Sequence, residues 1–323
     1  MNYKSFCDLS DDIKNNIHKI NQQNFDLIVG IPRSGMVPAY MVALLLNANC
    51  IDLPAFIRND KLGKGITRDA KKALNFPHEA SNILIVDDSI LTGGSMIDAL
   101  AKIPSSFQGK VTTAAIYTTA LVSDKVDIFF EYVDFPRVFE WNLFHHPIVT
   151  EACVDIDGVL CQDPTEEQND DGEKYIQFLA DATPRFIPTM KVDVLITNRL
   201  EKFRPHTEQW LAKHGVNYNK LEMLDLPSKA ARRAQVDYFS HKADYFKRSP
   251  NVLFIESDYQ QAIEIANRSN KFVYCVDTNQ MIAPNGLKRF KNKKYLAETI
   301  RMQFSKIKPL RAIYKKVKNL ARA

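Results

Sequence analysis

The sequence has few cysteines and no apolar run long enough to cross a bilayer. Its five cysteines are scattered along 323 residues, and no two of them form a C-x-x-C pair. An odd and dispersed set argues against a disulfide framework or a zinc site and suits a reducing cytoplasm. The longest apolar stretch, residues 36–46, is too short to span a membrane. Residues 1–12 contain no apolar run, so we expect no signal peptide.

Charge is spread unevenly along the chain. The formal net charge is +5, but residues 288–323 contain thirteen Lys or Arg and one acid, Glu298, which gives this tail +12. The rest of the chain must therefore carry −7 for the total to reach +5. The basic character belongs to the tail and not to the body of the protein.

The basic tail also has an amphipathic pattern. Apolar residues recur at three- and four-residue steps from Ile300 to Leu320, with Lys and Arg between them, and Pro309 should kink or split the helix. A basic amphipathic helix is typical of a membrane-surface anchor, so we predict peripheral membrane contact. The alternatives are a helix packed on the body and, least favoured, nucleic-acid binding, so no nucleic-acid partner is expected. The predicted location is cytoplasmic, at the inner face of the cell membrane.

Apolar runs alternate with helical patterns in both halves of the chain. Such alternation predicts an α/β protein with two doubly wound domains, each built on a parallel sheet. The predicted strands lie at 25–30, 83–88, 111–117, 152–157, 192–198, 251–257 and 271–277. The aromatic-rich segment 135–147 closes the first half, which leads us to predict domains at 1–150 and 151–285, followed by the tail at 286–323.

The first unusual polar cluster follows the predicted strand at 83–88. Asp87 and Asp88 end this strand, and the turn Thr92-Gly93-Gly94-Ser95 then opens a helix. Glycines at a helix N-terminus let backbone N–H groups approach a phosphate closely. Adjacent carboxylates repel each other unless cations or hydroxyls compensate them, as Mg²⁺ and a sugar diol would. The turn at residues 30–35, GIPRSG, repeats the arrangement, so the pattern describes a ribose with phosphates at both ends.

These residues resemble the type I phosphoribosyltransferases over about residues 20 to 145. The segment VDDSILTGG is similar to their signature for phosphoribosyl pyrophosphate (PRPP), and GIPRSG is similar to their pyrophosphate loop. The resemblance implies that Asp87 and Asp88 hold the ribose hydroxyls, that Thr92, Gly93, Gly94 and Ser95 bind the 5-phosphate, and that Arg33, Ser34 and Gly35 help to cradle the pyrophosphate. The loop at 58–68 would close over the reacting centre, with Lys61, Lys64 or Arg68 near the leaving group.

The second polar cluster follows the predicted strand at 152–157. Asp155 and Asp157 lie two residues apart at its end, so both side chains should point toward one pocket. Paired carboxylates of this kind can hold Mg²⁺ while one attacks a phosphorus and the other handles protons. Later strand ends and helices contribute Thr197 in LITNR, Lys242 in SHKADYF, and Glu256 and Asp258 in FIESD.

This second set resembles the motifs of the haloacid dehalogenase superfamily of phosphatases. By that resemblance Asp155 is the nucleophile, Asp157 is the acid and base, and Thr197 and Lys242 hold the phosphoryl group. The implied Mg²⁺ ligands are Asp155, Asp157, and Asp258 or Glu256. The E-S-D order departs from the adjacent aspartates usual in the family, so the choice between Glu256 and Asp258 stays open. Lys229 is a less favoured alternative to Lys242. The forty residues between Asp157 and Thr197 leave room for a small cap at most.

Together the two resemblances imply a bifunctional enzyme. It would transfer 5-phosphoribosyl from PRPP to a saccharide acceptor, such as a lipid-linked glycan, and then remove the 5-phosphate to leave a β-ribofuranosyl residue. One alternative is nucleobase salvage followed by nucleotide dephosphorylation. Another is a PRPP-sensing regulator, against which the intact set of phosphatase-like residues argues. The sequence leaves the acceptor and the oligomeric state open.

Overall fold

The structure is a computed structural model that describes residues 1–234 and 240–284, so the predicted tail at 286–323 lies outside the described residues. The chain divides into two compact units, residues 1–146 and residues from 147 onward. The boundary predicted near residue 150 falls within a 3-10 helix, Pro147–Glu151, that begins the second unit. Among residues 1–234 and 240–284, no helix is both long enough and apolar enough to cross a membrane.

The first unit, described throughout residues 1–146, is built on a parallel sheet of five strands in the order β3-β2-β4-β5-β6. Two further short strands, β1 and β7, pair with each other in parallel. The strands are β1 (Asn2–Lys4), β2 (Leu27–Gly30), β3 (Asn49–Asp52), β4 (Asn82–Ser89), β5 (Lys110–Thr118), β6 (Ile128–Tyr132) and β7 (Arg137–Phe139). From β2 the chain continues to β3 on one side of the sheet centre, whereas from β4 it continues to β5 on the other side. The sheet therefore has its topological switch point between these two strands, where ligands bind in such folds.

Helices cover both faces of this sheet. They are α1 (Phe6–Asn16), α2 (His18–Asn21), α3 (Met36–Leu46), α4 (Leu53–Arg58) and α5 (Gly94–Ala101), with 3-10 helices at Pro77–Glu79, Ser123–Lys125 and Glu140–His145. Leu9 of α1 and Val42 of α3 share one core cluster, whereas Phe56 of α4 and Met96 of α5 belong to another. Two apolar cores, one on each side of the sheet, make the unit doubly wound, as predicted.

The described part of the second unit also forms an α/β layer structure. Its sheet has the order β10-β9-β8-β11-β12-β13, with all neighbours parallel except β12 and β13. The strands are β8 (Ala152–Val154), β9 (Val192–Leu200), β10 (Tyr218–Leu224), β11 (Leu253–Glu256), β12 (Phe272–Cys275) and β13 (Gln280–Ile282). Its switch point lies between β8 and β11. Strand β8 ends before the predicted residue 157, because the chain turns back at Gly158, whose φ is +74°.

Helices of the second unit lie between these strands. They are α6 (Glu173–Asp181), α7 (Arg204–Lys213), α8 (Lys229–Ala234), α9 (Ser240–Arg248) and α10 (Tyr259–Ser269), with a 3-10 helix at Glu201–Phe203. Helix α7 stops just before Gly215, which has φ +68° and lets the chain reverse. Phe246 of α9 and Ala266 of α10 pack with Phe254 of β11 in one core. This packing holds α9 beside the ends of the central strands.

Candidate active sites

In the first unit, two adjacent carboxylates lie at the switch point of the sheet. Asp87 and Asp88 end strand β4, and both are buried. Each oxygen of Asp88 accepts a hydrogen bond from a neutral donor: the Ser34 hydroxyl is 2.8 Å from Oδ1, and the Trp141 indole nitrogen is 2.7 Å from Oδ2. Asp87 Oδ1 accepts the backbone N–H of Asp88 at 2.9 Å. The hydrogen-bond donors of the pair are therefore neutral, while the buried Arg137 guanidinium acts on Asp88 only through its charge.

The charge of this pair is only partly compensated. Burial, together with the neighbouring Asp88 carboxylate, raises the pKa of Asp87 to about 8. At neutral pH Asp87 therefore tends to keep its proton while no ligand is bound. A ligand that brings hydroxyls or a divalent cation would stabilise the ionised pair.

The loop from β2 to α3 packs directly against this pair. A Cβ atom at Gly35 would lie 2.9 Å from Asp87 Oδ1 and 2.5 Å from the Ile31 carbonyl oxygen, so only glycine fits. The loop also carries Ser34, which contacts Asp88, and Arg33, which is exposed and follows a cis Pro32–Arg33 peptide. The structure thus brings the predicted pyrophosphate loop to the predicted ribose-binding acids.

The predicted 5-phosphate turn lies at the start of α5. Gly93 has φ +81° and precedes the helix, while the Gly94 N–H donates to Thr92 Oγ1 at 3.3 Å. Thr92 and Ser95 are exposed. A glycine turn at a helix N-terminus presents backbone donors and a favourable dipole to an anion. In the 58–68 loop Lys64 donates to Asn75 Oδ1 at 2.8 Å, and its role near the leaving group stays a prediction.

In the second unit, three charged side chains meet at the sheet's switch point. Lys242 Nζ of α9 lies 2.6 Å from Asp155 Oδ2 and 2.8 Å from Glu256 Oε2. All three residues are buried. Lys242 therefore bridges the nucleophile predicted after β8 and the acid predicted at the end of β11. Lys229, the alternative cation, donates instead to the backbone oxygen of Asn169.

Burial and charge act against each other in this cluster. Burial favours the neutral form of Lys242, but the Asp155 and Glu256 carboxylates outweigh it and raise the pKa of the lysine. Burial also raises the pKa of Asp155 well above its ordinary value, an effect that Lys242 opposes and Glu256 reinforces. One ammonium between two carboxylates leaves a net negative charge when both acids are ionised. The cluster can therefore accept a further cation.

Asp157 is held by a residue that the sequence analysis did not single out. Arg199 is buried, and its guanidinium contacts Asp157 through Nη2 to Oδ1 at 2.6 Å and Nε to Oδ2 at 3.1 Å. The backbone N–H of Arg199 also donates to Thr197 Oγ1 at 3.2 Å. The sequence did contain a feature that could have pointed to Arg199, because this residue follows Thr197 by two positions in the same LITNR motif. A buried Arg beside a motif acid indicates a fixed carboxylate.

One pocket of about 390 Å³ joins these groups. It is lined by all the predicted residues of this site, namely Asp155, Asp157, Thr197, Lys242, Glu256 and Asp258. Asp163, which the sequence analysis missed, also lines it; burial, with Asp157 and Asp277 nearby, raises the pKa of Asp163 to about 6. The wall is thus rich in carboxylates, with Lys242 as its cation.

The donor chemistry of this pocket suits Mg²⁺, which prefers carboxylate oxygens. Within residues 1–234 and 240–284, however, no three His, Cys, Asp or Glu side chains are grouped as around a metal ion. Asp155 and Glu256 are turned toward Lys242, and Asp157 toward Arg199. Asp258 Oδ1 accepts the Gln261 N–H at 2.8 Å and so caps α10. The predicted ligand set is therefore close together but engaged in other bonds, and it stays a prediction.

Comparison with known proteins identifies the first unit. Residues 3–147 match the family described as phosphoribosyl transferase domain. The match supports a type I phosphoribosyltransferase domain in this part of the chain. The match supports phosphoribosyltransferase activity and confirms that part of the sequence-based prediction. It ends at residue 147, so the phosphatase interpretation of the second unit stays a prediction. No curated protein matches the chain.

Solved phosphoribosyltransferases resemble part of the chain. Purine phosphoribosyltransferase from Pyrococcus horikoshii Ot3 is 19% identical over 43% of this chain and 92% of its own, with a TM-score of 0.32. Xanthine-guanine-hypoxanthine phosphoribosyltransferase from Helicobacter pylori is 16% identical over 44% of this chain and 92% of its own, with a TM-score of 0.34. Adenine phosphoribosyltransferase from Rhodothermus marinus DSM 4252 is 19% identical over 39% of this chain and 79% of its own, with a TM-score of 0.27. These values say nothing about the acceptor of this chain.

Proposed function

We propose that the chain is a bifunctional enzyme that adds ribofuranose to a saccharide. The phosphoribosyltransferase domain would transfer 5-phosphoribosyl from PRPP to a hydroxyl of the acceptor, with loss of pyrophosphate. The second unit would then hydrolyse the 5-phosphate. Two successive reactions in one chain would yield an unphosphorylated β-ribofuranosyl residue, and phosphate loss would make the transfer irreversible.

One observation carries the proposal. The second unit places Asp155, Thr197 and Lys242 around a single pocket, with Lys242 Nζ 2.6 Å from Asp155 Oδ2. A carboxylate fixed beside a buried ammonium, at the carboxyl end of a parallel strand, suits attack on a phosphoryl group. A phosphoribosyl product carries the 5-phosphate that such a site would remove. The parallel strand order of this unit is compatible with the predicted phosphatase fold.

In the first reaction the bond between C1 of the ribose and pyrophosphate would break as the acceptor oxygen bonds to C1. The acceptor's hydroxyl proton is released. Asp87 and Asp88 would accept the ribose hydroxyls, and the Gly30–Gly35 loop and the Thr92–Ser95 turn would hold the two phosphate ends. Attack on the face opposite the departing pyrophosphate inverts the α-configured carbon, which accounts for the β-linkage.

In the second reaction Asp155 would attack the phosphorus and form a phospho-aspartate while the ribosyl oxygen leaves with a proton. Water would then hydrolyse the phospho-aspartate to release phosphate and restore Asp155. Asp157 is oriented by Arg199, whose Nη2 lies 2.6 Å from Oδ1, and this position suits accepting a proton from that water. Donating a proton in the first step requires the Arg199 contact to loosen.

Mg²⁺ fits both sites as a cofactor. Asp87 and Asp88 in the first unit and the carboxylates of Asp155, Asp157, Glu256 and Asp258 in the second would hold it. When bound, it would offset the negative charge of phosphate oxygens and carboxylates. The observation that favours it is the surplus of carboxylates over cations around the second pocket.

The acceptor is proposed from the sequence of the tail. Thirteen Lys or Arg in residues 288–323 would attract the chain to an anionic leaflet, at about 1 kcal/mol for each engaged cation. A lipid-linked saccharide at the inner face of the cell membrane would then be within reach. This location and membrane contact belong to the proposal and explain why a basic tail accompanies an otherwise acidic body.

Product analysis tests the proposed function. The full chain is incubated with PRPP, Mg²⁺ and a panel of saccharides and nucleobases, and products are measured by mass spectrometry. Asp155→Asn is compared with wild type. We expect a phosphoribosyl saccharide from the variant and a ribosyl saccharide from wild type, since only the second step is blocked.

Other products would overturn this function in distinct ways. Consumption of a purine or pyrimidine with release of free nucleoside would assign the chain to nucleobase salvage. Equal amounts of dephosphorylated product from wild type and Asp155→Asn would remove the phosphatase role from Asp155. If wild type neither binds PRPP nor releases pyrophosphate with any acceptor, the sensor interpretation and the transferase interpretation both fail. If wild type binds PRPP but releases no pyrophosphate, the sensor interpretation is favoured.

A further inference from the structure

The two tryptophans of the chain use their indole N–H groups differently. Trp210 donates to a backbone carbonyl, Ala182 O, at 2.8 Å, as expected of a buried core tryptophan. Trp141 donates to a side-chain carboxylate, Asp88 Oδ2, at 2.7 Å. Asp88 is one of the two acids proposed to read the ribose. The Trp141 contact is therefore made to the proposed ligand-binding group itself.

The Trp141 ring packs in a cluster of three aromatic rings. Its centroid lies 5.0 Å from that of Phe139, with the planes 7° apart, and 6.2 Å from that of Tyr117, while Phe139 and Tyr117 are 5.2 Å apart. The Tyr117 hydroxyl donates to Asp12 Oδ2 at 2.8 Å, and Lys4 Nζ lies 2.6 Å from the same oxygen. Two carboxylates thus anchor this cluster, Asp12 at the Tyr117 hydroxyl and Asp88 at the Trp141 indole. This arrangement restricts where the indole N–H can point.

The Asp88 carboxylate joins three separate segments. Ser34 reaches it from the loop after β2, and Trp141 reaches it from the 3-10 helix Glu140–His145. Asp88 itself ends β4 and is 3% exposed. A buried carboxylate can accept about four hydrogen bonds, two at each oxygen, so the Ser34 and Trp141 donors leave capacity for ribose hydroxyls. They also orient the carboxylate before the ligand arrives.

We propose that Trp141 is a positioning residue that holds Asp88 in the orientation that receives the ribose of PRPP. This inference rests on the proposed function of Asp87 and Asp88. Trp141 acts through Asp88 and needs no contact with the substrate. Because the indole is fixed by the cluster of Tyr117, Phe139 and Trp141, the orientation of Asp88 would be set by residues outside the predicted PRPP motifs.

A nuclear magnetic resonance experiment on the full chain tests this directly. Protein labelled with ¹⁵N-tryptophan gives one indole N–H signal for each of its two tryptophans. PRPP with Mg²⁺ should shift the signal of Trp141, because its acceptor carboxylate gains new partners. The signal of Trp210 should stay in place and serves as the internal control. Assignment comes from the spectrum of Trp141→Phe, which lacks one signal.

Calorimetric titration of PRPP with Mg²⁺ gives the second readout. Trp141→Phe keeps an aromatic ring and removes the N–H donor, and we expect it to bind PRPP about tenfold more weakly, as for loss of a hydrogen bond to a charged group. Phe6→Leu is the matched control. The Phe6 ring is 5.5 Å from Trp141 and 43% exposed, so its loss alters the packing of the indole but not its hydrogen bond. We expect this control to bind PRPP within about twofold of wild type.

The outcomes separate this inference from the proposed function. If wild type binds PRPP while the Trp141 indole signal does not move, Trp141 is not a positioning residue, whether or not Trp141→Phe folds. Equal PRPP affinity of wild type and folded Trp141→Phe, or an equal loss in Phe6→Leu, overturns it as well. If wild type does not bind PRPP, the proposed function of Asp87 and Asp88 fails and this inference fails with it.

Discussion

The two acid pairs of this chain lie at equivalent places in their sheets but are compensated in opposite ways. Asp87 and Asp88 lie at the carboxyl end of β4 at one switch point, and Asp155 and Asp157 follow β8 at the other. In the first unit the donors to Asp88 are a hydroxyl and an indole N–H, both neutral. In the second unit Asp155 has an ammonium, and Asp157 is bound by Arg199.

Under the proposed function this difference separates a binding site from a reaction site. The hydrogen-bond donors of the first pair are neutral, and Arg137 acts on Asp88 through its charge without a hydrogen bond, so the pair depends on a ligand or cation for full ionisation. In the second pair Lys242 opposes the rise that burial causes in the pKa of Asp155, and Arg199 holds Asp157 through two nitrogens, so both acids are oriented without a ligand, as a nucleophile requires. Under the proposed function the first pair reads a sugar and the second attacks a phosphate.

The largest expected effect tests the fixed cation of the second unit. Lys242→Met should lower the free energy of unfolding by about 3–5 kcal/mol, because Asp155 and Glu256 would be left buried beside each other without a cation. Chemical denaturation measures it. The control Lys202→Met removes a partly exposed ion pair with Asp171 at 3.0 Å and should cost less than about 1 kcal/mol. Similar losses in both variants would show that Lys242 does not compensate the acids.

A smaller effect is expected at the other cation. Arg199→Lys keeps the charge but cannot reproduce the two-nitrogen contact with Asp157, nor the donation to Thr207 Oγ1 at 3.3 Å. We expect a loss of about 1–3 kcal/mol in unfolding free energy. Arg204→Lys, on a half-exposed arginine paired with Glu201, is the matched control and should change little. An Arg199→Lys variant as stable as wild type would contradict the idea that Asp157 needs the guanidinium.

The first pair predicts a pH dependence of stability. Burial and Asp88 raise the pKa of Asp87 from 3.8 to about 8, so the folded chain binds this proton more tightly than the unfolded chain does. The stabilisation from Asp87 is complete below the unfolded pKa and is lost as the pH rises through about 8. Asn at this position stays neutral, so Asp87→Asn should be about as stable as wild type near pH 3.5 and more stable near pH 9.

Denaturation of both proteins at the two pH values measures this difference. Asp127→Asn provides a control in the same unit, because Asp127 accepts from Thr113 N at 2.8 Å away from the pair. A difference between Asp87→Asn and wild type that does not change with pH would show that Asp87 does not hold its proton in the folded chain.

The smallest effect concerns Asp258. Its carboxylate caps α10 through the Gln261 N–H at 2.8 Å, so Asp258→Ala should cost about 1 kcal/mol and Asp258→Asn, which can also cap, only a few tenths. Thermal or chemical denaturation without Mg²⁺ measures both. If the two substitutions destabilise the chain equally, the cap does not explain the position of this acid, and a role tied to its charge gains support.

Local sequence patterns predicted the central strands and the acids at their ends. Buried parallel strands are continuous apolar runs, so β4, β9 and β11 can be recognised in the sequence. Polar residues at the carboxyl ends of parallel strands must lie on the same side of the sheet, where the site forms. Strands such as β6 and β10 were not predicted. Their residues are mixed in polarity because they lie at or near the sheet edges.

The partners of the acids depended on tertiary contacts. Trp141 is 53 residues from Asp88, and Arg199 is 42 residues from Asp157. No local periodicity links such positions, and an aromatic-rich segment predicts only packing. The choice of Lys242 over Lys229 was made from the sequence, and the structure places Lys242 against Asp155. What the sequence could not supply was which donors reach which carboxylate oxygen.

The central claim is that the two acid pairs perform separate tasks, and two partial assays on two variants test it most directly. PRPP binding with Mg²⁺ is measured by calorimetry, and phosphate release is measured from methyl β-ribofuranoside 5-phosphate, which needs no acceptor. We predict that Asp88→Asn loses PRPP binding and keeps phosphate release, while Asp155→Asn keeps PRPP binding and loses phosphate release. Loss of both activities in either folded variant, or absence of both in wild type, would contradict the account.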